Sequence, residues 1–200
     1  MNIIVYDIEI AKAIQGRNEK KIKGIEYCGG WRDFENMGIA CLCAYQYDQK
    51  RYRVFMEDNM TEFLEMANYS DMVVGFNSHN FDNQLILAEF GFDLTDKTFD
   101  ILREIWKAEG LDADIFNMST HGGYGLDDMC RANFNTQKTG HGRLAPIDFQ
   151  QGKYGSVIDY CLQDVALTKS LMDKILKKGF LTSPKTPGKS IPIEFKWTTE

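Results

Sequence analysis

Hydrophobic residues along the chain follow two periods, which together predict an α/β fold. Apolar runs of strand length open the chain and recur, at residues 3–10, 39–47, 51–56, 72–76 and 98–102. Apolar residues at helical spacing occupy residues 58–69, 80–90, 126–134 and 156–178. The polar turn Asp48-Gln49-Lys50 predicts a hairpin between the second and third strands. We expect a mixed central sheet surrounded by helices.

Three stretches lack either period. Residues 11–37 mix charged residues with four glycines, and we interpret them as a long insertion after the first strand. Residues 135–153 contain Lys138, His141 and Arg143, a composition typical of a basic loop. Gly179 is expected to end the last helix, which makes residues 1–180 one domain and residues 181–200 an irregular C-terminal tail.

The composition agrees with one globular domain. The chain has 200 residues, 44% of them hydrophobic, which is enough for one well-packed core. There is no apolar run of membrane-spanning length and no basic N-terminal region leading into an apolar one, so we expect a cytoplasmic protein without a membrane partner. Five cysteines without Cys-x-x-Cys spacing suggest neither a disulfide framework nor a zinc site.

The net charge of −6 argues at first against a nucleic-acid partner, but the charges are unevenly distributed. Residues 35–134 carry seven Lys and Arg against eighteen Asp and Glu, whereas residues 10–34, 135–158 and 174–200 are each net positive. Basic segments of this kind can guide a polyanion to an acidic site, although ordinary solvated surface explains each segment equally well.

The first strand carries the clearest chemical signal. Side chains two residues apart on a strand share a face, so Asp7 and Glu9 project together from apolar surroundings. Two carboxylates so placed repel each other unless a cation lies between them, and oxygen ligands suit Mg²⁺ or Mn²⁺. The alternative is that both residues form a solvated strand end without a metal.

Two further patterns follow at predicted element boundaries. The fourth strand runs into Asn77-Ser78-His79-Asn80-Phe81-Asp82, where we expect Asn80 to cap a helix whose first turn holds Asp82. In the last helix, Tyr160 and Asp164 are four residues apart and share one face. Each pattern alone is also common in proteins without any site, since an Asp in a first helical turn stabilises the helix.

Taken in order, the three patterns resemble the DEDD 3′→5′ exonucleases of the ribonuclease H-like superfamily. Asp7-Ile8-Glu9 is similar to the first motif of that family, the segment from Asn77 to Asp82 to the second, and Tyr160-Cys161-Leu162-Gln163-Asp164 to the third. The third motif indicates the tyrosine subclass (DEDDy), because the histidine subclass has a His where this chain has Asp159. The likeness runs from about residue 2 to residue 176 and is strongest to the proofreading exonuclease domains of B-family DNA polymerases. Residues 11–37 and the tail have no counterpart in it.

The resemblance implies a ribonuclease H-like fold, with about five strands in a mixed sheet and helices on both faces. It implies that four acids, Asp7, Glu9, Asp82 and Asp164, hold two Mg²⁺ or Mn²⁺ ions and that Tyr160 orients the attacking water. The substrate would be the 3′ end of a single-stranded nucleic acid, DNA or RNA. Residues expected to contact it are Ile8, Asn77, Asn80, Phe81, Lys138 and Arg143; Phe81 is equally well explained as a core residue.

Several alternatives remain open at this point. The acids also suit a ribonuclease H-like endonuclease or resolvase, or an unrelated metal-dependent phosphohydrolase. A non-catalytic nucleic-acid-binding or subunit-docking module is disfavoured, because such a module has no need of crowded carboxylates. The sequence leaves open whether the protein acts beside a separate polymerase or another replication or repair protein, trims RNA or degrades foreign DNA.

Overall fold

A five-stranded mixed sheet forms the centre of the computed structural model, which describes residues 2–136 and 142–195. The strands are β1 (Ile3–Ile10), β2 (Ala13–Ile14), β3 (Tyr27–Cys28), β4 (Ile39–Gln46), β5 (Arg51–Phe55), β6 (Met72–Gly75), β7 (Thr98–Asp100), β8 (Phe180–Thr182) and β9 (Ser190–Pro192). The central sheet has the order β5-β4-β1-β6-β7, with β4 antiparallel to β1 and β5, and β6 parallel to β1 and β7. The α/β fold class expected from the sequence is confirmed.

Helices cover both faces of this sheet. They are α1 (Phe34–Met37), α2 (Met60–Asn68), α3 (Asp82–Phe90), α4 (Ile101–Ala108), α5 (Met118–His121), α6 (Leu126–Phe134), α7 (Ala145–Gln150) and α8 (Tyr154–Lys178). One core joins α4, α6 and α8 to the face of β1 that carries Ile3 and Val5. A second core joins α2 and α3 to the face that carries Ile4 and Tyr6. Strand β1 is therefore buried from both sides, which explains why its apolar run is nearly continuous.

The basic segment expected to be a loop contains a helix. Within residues 135–153, α7 follows a short 3₁₀ turn at residues 142–144, and Pro146 lies in its first turn, where the missing N–H costs nothing. Periodicity did not predict this helix because six residues span fewer than two turns. Lys138 and His141 lie outside the described residues.

The C-terminal segment also differs from the irregular tail that was expected. Strands β8 and β9 pair antiparallel. Leu181, Ile191 and Ile193 are buried in the core that contains α4, α6 and α8, which we call the main core. These apolar residues are isolated among Lys, Thr and Pro, so the sequence shows no strand-length run. Among the described residues, no helix combines the length and the apolarity that a membrane crossing requires.

Residues 11–37 contain little regular structure of their own. The parallel pair β2 and β3 is two residues long on each strand, and α1 is four residues long. Side-chain contacts attach the segment to α7: the Gln150 amide donates to the carbonyls of Ala11 and Glu26 at 2.9 and 3.1 Å and accepts the Glu26 N–H at 2.7 Å. These polar contacts, together with Met37, which is fully buried in the second core, hold the insertion over the end of β1.

Candidate active site

Three carboxylates converge where β1 meets α8. Asp7, Glu9 and Asp164 each place a carboxylate oxygen within 4.8 Å of the others. Glu9 and Asp164 are buried and Asp7 is partly buried. Like charges this close, with little water around them, repel each other strongly, so a bound cation would stabilise the arrangement.

The register of the sheet explains why these side chains meet. Asp7 and Glu9 lie opposite Cys43 and Cys41 of β4 and continue the row of Ile3 and Val5 that faces α8. The register shifts between Glu9 and Ile10, which ends the regular ladder directly after the second acid.

Helix α8 is held against β1 beneath the acids. The Cys161 thiol donates to the Asp7 carbonyl at 3.3 Å, and the sulfur atoms of Cys41, Cys43 and Cys161 lie within 4.8 Å of one another. All three side chains are fully buried, and burial raises the pKa of the Cys161 thiol. They form a layer under the carboxylates that the sequence spacing did not predict.

Asp82 lies beside the three-acid cluster without being a member of it. Strand β6 pairs with β1 only as far as Val5, and the Ile8 N–H further along donates to Asp82 Oδ1 at 3.1 Å. Burial raises the pKa of Asp82 to about 7, and the negative charges of Asp100 and Asp164 add to the effect. The negative charge of Asp164 therefore acts on Asp82, and Asp82 accepts a hydrogen bond from the backbone between Asp7 and Glu9.

The turn before Asp82 is shaped by residues that the sequence argument did not assign. Asp100 accepts the N–H groups of Asn77 and His79 at 2.9 and 3.0 Å. A Cβ at Gly75 would overlap the buried Ser78 side chain, so glycine is required where the chain folds back. Helix α3 begins at Asp82 with Phe81 as its N-cap, so the expectation that Asn80 caps it is wrong.

Tyr160 lies one helical turn before Asp164 on α8, as predicted. A Cβ built at Gly142 would be 3.1 Å from its hydroxyl, so the phenol lies directly against the 3₁₀ turn. Gly142 also lines a cavity next to Glu9. Gly142 therefore adjoins both the Tyr160 hydroxyl and the cavity that Glu9 lines.

Most of the residues expected to contact the substrate line two neighbouring cavities. The smaller, about 300 Å³, is lined by Ile8, Glu9, Phe81 and Arg143. The larger, about 950 Å³, is lined by Asn77, Asn80 and Phe81. Arg143 forms an ion pair with Glu19 of the insertion, a partner that the sequence did not indicate.

Trp31 was not predicted as a site residue, although it lines both cavities. Its only signal in the sequence was an isolated aromatic residue after two glycines within the insertion. Asp100, which ends β7 directly before α4, was not predicted as a site residue either. Neither position belongs to one of the three motifs.

The comparisons with known proteins give a structural likeness alone. No family model and no curated protein sequence matches the chain. Among solved structures, the family B DNA polymerase from the hyperthermophilic archaeon Pyrobaculum calidifontis is similar, with a TM-score of 0.49 and 16% identity. The match covers 88% of this chain and 24% of the polymerase chain.

Proposed function

We propose that the protein is a metal-dependent 3′→5′ exonuclease that hydrolyses single-stranded nucleic acid, DNA in preference to RNA, to nucleoside 5′-monophosphates. The observation that carries the proposal is the convergence of Asp7, Glu9 and Asp164 within 4.8 Å, with Asp82 joined to the same strand through the Ile8 N–H. These four acids come from three separate regions of the sequence.

The donor set fits hard divalent cations. All candidate ligands are carboxylate oxygens, the class that Mg²⁺ and Mn²⁺ prefer, and Asp7 is exposed enough to share a cation with solvent or substrate. A pair of such ions supplies an activated water and stabilises the charge that develops on the leaving oxygen. Asp7, Glu9 and Asp164 would hold them, with Asp82 completing the set.

Tyr160 has the position of a residue that orients the attacking water. Its hydroxyl adjoins Gly142, which lines the same cavity as Glu9, and the next turn of the same helix carries Asp164. A side chain fixed in this way can hold a water molecule in line with the scissile phosphate.

The smaller cavity suits one nucleotide at a strand end. Its volume is at the lower end of the range for small-ligand sites, and its Ile8, Ile10 and Pro146 side chains can pack against a sugar and a base. Phe81 lies at its border, where an aromatic ring can stack on a base of any sequence.

The direct test is digestion of 5′-labelled single strands of DNA and RNA in Mg²⁺, in Mn²⁺ or in excess chelator. We expect a ladder that shortens from the 3′ end only when metal is present, with 5′-monophosphates as products. A closed circular strand should survive, because an exonuclease needs an end; cleavage of the circle would instead support the endonuclease. Undiminished digestion in chelator would exclude the metal-dependent mechanism.

A further inference from the structure

Trp31 occupies an unusual position for a tryptophan. Its side chain is 71% exposed, although tryptophan normally buries much of its surface. It lies in the insertion after Gly29 and Gly30 and contacts Phe81 with ring centroids 6.0 Å apart. Phe34 also contacts Phe81, with ring centroids 5.9 Å apart and an angle of 70° between the ring planes.

The Trp31–Phe81 pair lies between the two cavities. Both residues line the 300 Å³ cavity next to Glu9, and both line the 950 Å³ cavity next to Asn77 and Asn80. The pair, which we call the aromatic wall, therefore separates a space at Glu9 from a larger space that reaches Phe116.

An arginine lies on each side of the wall. Arg32 lines the larger cavity beside Asp114, and Arg143, which pairs with Glu19, lines the smaller one beside Glu9. A strand that crossed the wall would have bases against aromatic rings and phosphates near cations, the combination used for single strands without sequence preference.

We propose that the aromatic wall divides two nucleotide subsites, with the 3′-terminal base in the smaller cavity and the preceding bases in the larger one, and that Trp31 selects unpaired ends. The proposal rests on the proposed function and extends it. In a duplex the terminal base stacks on the penultimate base and pairs with the opposite strand, so the two bases cannot lie on opposite sides of the wall unless the end is first unstacked and unpaired.

The test measures binding without turnover. The full chain is titrated in chelator with 5′-fluorescein-labelled oligothymidylate, with the same strand abasic at its terminal or penultimate position, and with a blunt duplex. Trp31→Ala should weaken binding of the intact strand about 5- to 150-fold, the usual range for loss of one base stack. On one of the two abasic strands the substitution should hardly change the affinity, because the base that stacks on Trp31 is already missing.

Two further variants separate stacking from folding. Trp31→Phe should restore most of the affinity and Trp31→Leu should not, since only the former keeps an aromatic face. Tyr69→Ala removes an exposed aromatic side chain outside both cavities and should leave binding unchanged.

The outcomes distinguish this proposal from the proposed function. Equal losses for Trp31→Ala on intact and abasic strands, unchanged binding, or no measurable binding by the unaltered chain would each overturn the aromatic wall. Base-dependent binding without any shortening in metal would support the wall and exclude the exonuclease. Shortening by Trp31→Ala at unaltered rate and affinity would do the reverse.

Discussion

Glu9 of the carboxylate cluster and the aromatic wall line the same cavity, but the chain holds the cluster and the wall in different ways. Asp7, Glu9 and Asp164 are carried by the central strand and by a helix of 25 residues, both packed into the main core. Trp31 is carried by a segment whose longest strand has two residues and which polar side-chain contacts fasten to α7. Metal ligands need fixed geometry, whereas a surface that accepts any base tolerates adjustment.

The first prediction concerns the rigid region and has the largest expected effect. Asp7→Ala or Asp164→Ala should lower the single-turnover rate about 1000-fold or more, because each removes a proposed ligand of the metal ions that would act on the scissile phosphate. Thermal unfolding without metal should show equal or greater stability, since one repelling charge is lost. Asp159→Asn, an exposed acid on the same helix, is the matched control and should retain full activity. A large fall in melting temperature for both alanine variants would make these acids structural.

The second prediction concerns Tyr160, which lies on α8 one turn before Asp164. Tyr160→Phe removes one hydroxyl but keeps the ring, so the rate of the chemical step should fall about 10- to 1000-fold while strand affinity stays nearly constant. Rapid-quench measurements with enzyme in excess isolate that step. Tyr154→Phe changes a tyrosine at the start of the same helix, where it packs on Phe149, and should have no such effect. If Tyr160→Phe cuts at the normal rate, another group such as His79 has to position the water.

The difference between the two regions also explains what the sequence could predict. Strand β1 has a long apolar run and helix α8 a long periodic pattern, so the positions of Asp7, Glu9, Tyr160 and Asp164 follow from local spacing. Asp82 accepts the Ile8 N–H because β6 ends at Gly75 and the chain then turns back before α3. Local periodicity does not specify where this turn lies.

Residues 11–37 show the limit of such prediction. Their conformation depends on the contacts of Gln150 and Arg143, residues more than 100 positions away in the chain. The pairing of Arg143 with Glu19 leaves no periodic signal, and neither does the exposure of Trp31. The C-terminal hairpin was missed for a related reason, because each strand contributes too few apolar residues to show alternation.

The third prediction uses the raised pKa of Asp82, about 7, against an ordinary value near 4. Between these values the folded protein binds more protons at this site than the unfolded chain, so the metal-free protein should lose stability as the pH rises from about 4 to 7. The contribution reaches at most about 1.4 kcal/mol per pH unit.

Asp82→Asn is the variant that isolates this contribution. Urea unfolding at several pH values should show a shallower decline across the same window, because the amide does not titrate. Asp71→Asn alters an acid whose oxygen accepts the Asn2 N–H at 2.6 Å, far from the cluster, and should leave the decline intact. The same slope in Asp82→Asn as in the unaltered chain would assign the titration to another group.

The fourth prediction concerns a substitution that weakens the attachment of residues 11–37, which include Trp31, to α7. Gln150→Leu keeps the size of the side chain but removes its bonds to Ala11 and Glu26. We expect the KM for a single strand to rise several-fold with little change in kcat, because the acids remain in place. Gln151→Leu, the neighbouring exposed amide, serves as the control. A fall in kcat as large as the rise in KM would mean that the insertion also fixes the positions of the carboxylate side chains.

The last prediction has the smallest effect and concerns the ion pair that closes the insertion over the smaller cavity. Both Arg143 and Glu19 are well exposed, so their pairing contributes little to stability. Arg143 nevertheless borders the cavity beside Glu9, where a substrate phosphate would compete with the Glu19 carboxylate for the guanidinium. Glu19→Gln should therefore lower KM about two- to fivefold and steepen its dependence on salt by nearly one phosphate contact. Arg143→Gln should raise KM and flatten the same dependence, and Asp148→Asn, which breaks the ion pair with Lys153 just before α8, should do neither. If neither Glu19→Gln nor Arg143→Gln alters the salt dependence, Arg143 only fastens the insertion and takes no part in binding phosphate.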